Sequence, residues 1–441
     1  EMGLGKSIQT ICFLKSVIDA KPDAKILIVC PTSLVYNWEK EFMKFGSELK
    51  YTTISDNKIK RTSALNNPNI NIFITSYGLL RNDINEYKEK EFEVCIIDEA
   101  QYIKNYQAKM TMSLKSLNAK TRIALTGTPL ENSITELWSI FDFLMPGYLN
   151  SVKKFREKYH ISDIKKEDLE RLENLNKQIA PFILRRKKNE VYKDLPDKIE
   201  NNIYLDLPEA QKKLYVSVLK DTEREIEELV GTMGFKAAQF KILTLLTKLR
   251  QICIAPSVLY ENYQNDEIKI TKLIQMIKDY AKDNHKILVF SSFKRVLDLV
   301  KTHLDKEHLS YYSIDGSVKG KERLPLVDKF NEDDTTCFLI TLKSGGTGLN
   351  LTSADIVIHL DIWWNPQAEN QATDRAHRIG QTKKVIVNRL ITKGTIEERI
   401  LELQNKKRIL SDNLIEGQTN TDALSNITEA ELKELLTFSG D

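Results

Sequence analysis

Val94–Asn105 reads VCIIDEAQYIKN, an apolar run that ends in two adjacent carboxylates, Asp98 and Glu99. Such a run suits a strand buried on both faces. Open α/β sheets bind their ligands at the carboxyl ends of strands of this kind. One carboxylate there can hold a hard cation while its neighbour orients or deprotonates a water. Metal-assisted phosphoryl transfer needs that division of labour. On these residues alone, a solvated Asp-Glu pair opening a loop serves as well.

The chain opens EMGLGKS, and Gly5, Lys6 and Ser7 fit the end of the phosphate-loop pattern G-x-x-x-x-G-K-[ST]. Its first small residue would fall one position before residue 1. Glycines such as Gly3 and Gly5 let backbone amides close around phosphate oxygens. Lys6 would reach the β- and γ-phosphates, and Ser7 would ligate Mg²⁺. The segment Ile8–Ile18 is expected as the helix whose positive end faces the anion. A lone GKS occurs by chance; one followed later by an Asp-Glu-ended strand is a stronger signal.

These groups need a scaffold, and the chain supplies its rhythm. Ile26–Cys30, Ile70–Tyr77, Val94–Ile97 and Arg122–Pro129 are strand-like runs alternating with helical segments, which calls for a mainly parallel sheet. Residues 131–180 and 207–282 have helical spacing, with Phe240–Ile254 too long and too apolar for a strand. From Lys286 the α/β rhythm returns, in KILVFSS, YYSIDG, CFLIT, IVIHLD and KVIVNRLI. This second sheet has no phosphate loop, but SGGTGLN (Ser344–Asn350) has backbone amides suited to anions. In QATDRAHRIGQ, Arg375 and Arg378 stand three apart and are expected to share a helical face. Small polar residues at strand ends, Thr32, Ser33, Thr75 and Ser76, suit phosphate contacts, although helix capping accounts for each equally well.

The totals bound the possibilities. A chain of 441 residues is long enough for about three domains. A net charge of +3 makes any nucleic-acid surface local. Cys12, Cys30, Cys95, Cys253 and Cys337 form no CxxC pair, so reduced core thiols and no zinc site are expected. No stretch reaches the roughly 18 apolar residues of a membrane helix.

The ordered series EMGLGKS, PTSLVYNWEKE, DEAQYIKN, LTGTPLEN, FILRRKKNEVYKDLP, LRQIC, VFSSF, IDGSVKGKER, LKSGGTGLNL and DIWWNPQAENQATDRAHRIGQ covers nearly the whole chain. It resembles the SWI/SNF-type, chromatin-remodelling-like ATPases of helicase superfamily two, in a bacterial-style member truncated at its N-terminus. The resemblance implies an α/β fold of two RecA-like parallel-sheet lobes with helical insertions between them, and ATP with Mg²⁺ in the cleft. Lobe one would be residues 1–190 with an insertion at 131–180. A helical connector would follow at 191–270, lobe two at 271–400 and a helical tail at 401–441. Lys6, Asp98 and Glu99 would be catalytic, joined by Arg375 and Arg378 as finger-like arginines. Gly3, Gly5, Lys6, Ser7, Gly346 and Gly348 would hold the nucleotide, and Ser7 and Asp98 the metal. Thr32, Ser33, Thr75, Ser76, Ser292 and Gly345 would lie along double-stranded DNA.

Gln101 stands where many members carry His, and Ile362 where Pro is frequent. The strand feeding the phosphate loop, with the adenine-contacting glutamine motif, would precede residue 1, and without it the first sheet would lack a central member. The expected activity is a DNA-dependent ATPase that translocates on duplex DNA and remodels DNA–protein complexes. The expected location is cytoplasmic, with nucleoid association in a bacterium or a nuclear residence in a eukaryote. A strand-separating DNA or RNA helicase and a non-catalytic nucleic-acid scaffold are the alternatives; intact Lys6, Asp98, Glu99, Arg375 and Arg378 speak against the scaffold.

Overall fold

The computed structural model describes residues 3–127, 134–159, 166–186, 188–191, 196–345, 348–414 and 429–436. The chain divides into two compact units at residues 193–194. Each is built on a parallel sheet, so the α/β fold of two RecA-like lobes is what the protein adopts.

In the first unit, β1 (Ile26–Cys30), β2 (Tyr51–Ile54), β3 (Ile72–Ser76), β4 (Glu91–Asp98) and β5 (Asn118–Leu125) lie in the order β2-β3-β1-β4-β5. Ile26, Ile28 and Cys30 face one layer with Ile11, Leu14, Trp38 and Phe42. Leu27 and Val29 face the other with Tyr77, Leu80, Leu114 and Phe143. Cover on both faces explains why β1 is an unbroken apolar run. β1 pairs directly with both β3 and β4, and β4 with β5. The five strands described are therefore contiguous, with β2 and the half-exposed β5 at the edges. The stretch expected as an insertion holds the helices Ile134–Leu144, Val152–Tyr159 and Lys166–Ile179, with Trp138, Phe141, Phe155 and Leu175 in a small core of their own.

The second unit orders its strands β6-β11-β10-β7-β9-β8, all parallel: β6 (Lys198–Leu205), β7 (Ile287–Ser291), β8 (Tyr311–Ile314), β9 (Cys337–Thr341), β10 (Ile356–His359) and β11 (Val385–Thr392). β6 corrects the expected helical connector at 191–270. Its sequence KIENNIYL has no apolar run because it is a largely exposed edge strand, registered along all of β11. The connector proper is the pair of helices Glu209–Met233 and Phe235–Ile254. They turn at Gly234, whose φ of 76° favours glycine. Their apolar faces share a core with Ile362, Trp364, Ile396, Ile400, Leu432 and Leu435, so the tail helix Glu429–Leu436 packs into this unit. Cys30, Cys95, Cys253 and Cys337 are buried free thiols, whereas Cys12 is exposed on the first helix instead of lying in a core.

Candidate functional site

The phosphate loop is shaped by glycine. Gly3 and Gly5 have φ of 77° and 74°, in the left-handed region that L side chains rarely adopt. A Cβ on Gly5 would meet nothing within 4 Å, so conformation and not space requires glycine there. Lys6 then opens the 15-residue helix Lys6–Ala20. Gln9 Nε2 donates to Leu4 O at 3.1 Å, and Thr10 Oγ1 to Lys6 O at 2.8 Å, which ties the loop to the first turn. A helix N-terminus and its dipole favour an anion.

Asp98 ends β4, beside this loop. Trp38 Nε1 donates to its Oδ2 at 3.0 Å, and the Glu99 amide to its Oδ1 at 2.9 Å. Burial pushes the Asp98 carboxyl up to about 6, and the neighbouring Glu99 charge adds to this. The Trp38 and Glu99 hydrogen bonds and the Lys6 charge oppose it. Tyr77 Oη donates to Asp98 O at 2.7 Å and stacks on Tyr102, which holds the strand end from the other side.

Glu99 leaves the strand at φ 52° and ψ 60°, a left-handed conformation uncommon for a non-glycine residue. This turn sends its side chain away from that of Asp98. Gln101 Nε2 donates to Glu99 Oε2 at 2.7 Å, and Thr126 Oγ1 donates to Gln101 Oε1 at 3.0 Å. The chain Thr126–Gln101–Glu99 thus links the turn after β5 to the second carboxylate. Among the described residues no cluster of three His, Cys, Asp or Glu side chains could hold a metal unaided. A Mg²⁺ that arrives on nucleotide phosphates needs only one or two protein oxygens, and the Ser7 hydroxyl and Asp98 carboxylate are hard donors of that kind.

The expected DNA-facing residues divide. Thr32 is exposed and Ser33 half-buried, in a 3₁₀ turn just past β1. Thr75 is fully buried and donates to Ile54 O at 3.3 Å, so its hydroxyl holds β2 to β3 instead of facing solvent. Ser76, 2% exposed, caps the helix Tyr77–Asn82 by accepting from the Leu79 amide at 3.3 Å. Both hydroxyls are committed to the fold. Gly345 is likewise a packing residue, because a Cβ there would lie 2.6 Å from the Phe290 ring.

Arg375 and Arg378 do not share a helical face. The helix Pro366–Thr373 ends before them, and Arg375, Ala376 and Gln381 make three-residue backbone turns. Arg375 is 6% exposed and donates through Nε to Gly345 O at 3.1 Å. Arg378 is half-buried, with Nη1 3.4 Å from Leu349 O. Gly348 has φ of 60°; Gly346 lies outside the described residues.

One cluster escaped the sequence. Asp361, at the end of β10, accepts from Ser291 Oγ at 2.7 Å, the Ser292 amide at 2.8 Å, Ser292 Oγ at 2.5 Å and Arg250 Nη2 at 3.1 Å. Its residues lie in VFSSF, DIWW and LRQIC, but nothing in those stretches pairs them.

Residues 1–258 match the model of the SNF2-related domain, and residues 268–380 that of the helicase conserved C-terminal domain. An ATP-dependent helicase of Mycoplasma genitalium is 40% identical over 415 residues, 93% of this chain and 39% of that protein. The putative ATP-dependent helicase/translocase YwqA of Bacillus subtilis is 37% identical over 452 residues, 100% of this chain and 48% of that protein. The chain thus spans less than half the length of these relatives. The Sulfolobus solfataricus SWI2/SNF2 ATPase core in complex with dsDNA is 36% identical, with a TM-score of 0.47, and is matched over 100% of this chain and 92% of its own. With more than half of its length matched by the first of these models, the chain belongs to the SNF2-related family, within the ATPase architecture of helicase superfamily two.

Proposed function

We propose that this chain is the motor core of a DNA-dependent ATPase that translocates along double-stranded DNA and remodels DNA–protein complexes. The observation that carries it is the meeting, in one unit, of a left-handed glycine loop opening a helix at Lys6 with a half-buried Asp98 at the end of β4 and a Glu99 on the left-handed turn that follows. The loop amides and Lys6 bind and orient the phosphates. Ser7 and Asp98 would hold a Mg²⁺, which would supply positive charge against the phosphates. Glu99, oriented by Gln101, positions and deprotonates the attacking water. Arg375 and Arg378 supply positive charge to the transition state. Thr32 and Ser33, with the loop that carries Ser292, face DNA phosphates, contacts that are blind to base sequence.

The B. subtilis relative, whose name includes translocase, supports motion along the nucleic acid, and the two bacterial relatives support a bacterial-style member. The test is ATP turnover with and without duplex, paired with two displacement assays. Duplex-stimulated turnover with displacement of a triplex-forming strand is the expected result. ATP-driven unwinding of a long blunt duplex without third-strand displacement would assign a strand-separating helicase instead.

A further inference from the structure

Arg250 is a buried arginine in the second of the two connector helices. It lies near the end of Phe235–Ile254 and is 1% exposed. Its Nη2 reaches Asp361 Oδ1 at 3.1 Å, Ile362 O at 2.7 Å and Ser292 Oγ at 3.4 Å. Its guanidinium carbon stands 5.2, 5.1 and 5.8 Å from the ring centres of Phe293, Trp363 and Trp364. Its Nε is buried without a hydrogen-bond partner.

A buried charge is costly unless its partners are well placed. Core stability alone would be served as well by a leucine at this point of an apolar helix. What the arginine adds is geometry. One planar cation is held by the loop after β7 (Ser292, Phe293) and by the loop after β10 (Asp361–Trp364), while its backbone belongs to the helical connector. The three rings fix the plane of the guanidinium, and Asp361 fixes both serines. The backbone of Ser292 is thereby set relative to Asp361, through an amide that donates to the same carboxylate.

We infer that Arg250 is a positioning residue that locks the connector helices to the two loops at the carboxyl edge of the second sheet, and that this lock presents the Ser292 loop to DNA. The inference rests on the duplex reading above for its second half only. The lock itself is a property of one unit and can be measured without DNA.

The test uses Arg250→Met, which keeps an unbranched chain and removes the charge, with Arg250→Lys as the variant that keeps the charge but not the planar fork. Hydrogen exchange on the full chain reads the lock. In Arg250→Met, peptides covering residues 290–294 and 360–365 should exchange faster, with the helix Gly320–Glu332 unchanged. Arg250→Lys should fall between Arg250→Met and wild type, and it decides the matter if Arg250→Met does not fold. Duplex-stimulated ATPase reads the consequence. The duplex concentration for half-maximal stimulation should rise about tenfold or more, as expected when a charged hydrogen-bonding group is lost, while kcat at saturating duplex stays near wild type. Unchanged exchange in both loops overturns the lock. Faster exchange with kcat lowered and half-saturation unchanged keeps the lock and overturns its role towards DNA. If wild type is not stimulated by duplex, the duplex reading fails, and exchange alone decides the role of Arg250.

Discussion

The indole of Trp38 donates to the carboxylate of Asp98 at 3.0 Å, across 60 residues of sequence. Trp38 is 3% exposed on the helix Val35–Phe45, so this donor cannot turn to water. It favours the charged form of a carboxylate whose pKa burial has raised to about 6. Trp38→Phe keeps most of the packing and removes the donor, so the Asp98 pKa should rise further. Metal ligation needs the deprotonated group. The Mg²⁺ concentration for half-maximal ATP turnover should therefore increase, and more so near pH ~6 than near pH ~8, where excess base restores the carboxylate. Magnesium titrations at both pH values check this. An equal shift at both would mean that Trp38 acts by packing.

Gln101 holds Glu99 at 2.7 Å and is itself held by Thr126. If Glu99 is the base, Glu99→Gln should keep ATP binding and lose turnover by roughly 10²–10⁴. Gln101→Ala leaves the carboxylate in place but unoriented. Its kcat should fall about tenfold, the worth of one hydrogen bond to a charged group, with KM for ATP little changed. Single-turnover hydrolysis and equilibrium nucleotide binding separate the two effects. Normal turnover by Glu99→Gln would remove Glu99 from the mechanism.

His359 sits at the end of β10, 1% exposed, with Nε2 3.0 Å from Thr373 Oγ1 and its ring stacked on Phe290. Burial pushes its pKa down from 6.5 to about 3, and the Arg389 charge adds to this. Between those values the unfolded chain binds the proton and the folded one does not. Stability is therefore lost as pH falls from about 6.5 towards 3, by an amount on the order of 4 kcal/mol at the acid end. His359→Asn keeps a polar partner for Thr373 and cannot titrate. Urea midpoints of the second unit, read by limited proteolysis, should decline less steeply with acid in the variant than in wild type. Parallel profiles would show that His359 is not the titrating group.

What the sequence disclosed follows physical range. Unbroken runs such as ILIVC and VCIID are buried on both faces and announced their strands. YTTI and KIENNIYL did not, because β2 and β6 are edge strands whose side chains meet solvent. Lys6, Asp98 and Glu99 lie in contiguous motifs and were legible as chemistry. The direction of a hydroxyl is not: Thr75 and Ser76 had the right residue types at a strand end, yet both face protein. Pairings between remote residues were also invisible. Arg250 meets Asp361 across 111 residues, and Lys269 meets Glu397 across 128 with both side chains fully buried. A composition window sees in each case one charge among several on a helix, with nothing to mark it as buried.

Arg375 and Arg378 differ in a way that bears on their roles. Arg375 is nearly buried, and its Nε is committed to the Gly345 carbonyl. Arg378 is half-buried, and its Nη1 is 3.4 Å from Leu349 O, a long hydrogen bond. Both are proposed to stabilise charge in the transition state. Such arginines contribute roughly 10³–10⁵ in rate, or about 4–7 kcal/mol of barrier. Arg378→Ala should therefore remove stimulated ATPase while duplex affinity, and the slope of that affinity with salt, stay at wild-type values. Arg378→Lys should not restore the rate, because an ammonium lacks the planar fork that spans two phosphate oxygens. Arg375→Ala should lower activity too, and by releasing the Gly345 carbonyl it should also loosen that loop and lower stability. Duplex binding measured at several salt concentrations, beside turnover per bound complex, distinguishes the possibilities. A phosphate contact has its own signature: affinity falls, the salt slope shrinks by about one, and turnover per bound complex persists. That outcome for Arg378→Ala would move Arg378 from the nucleotide to the DNA.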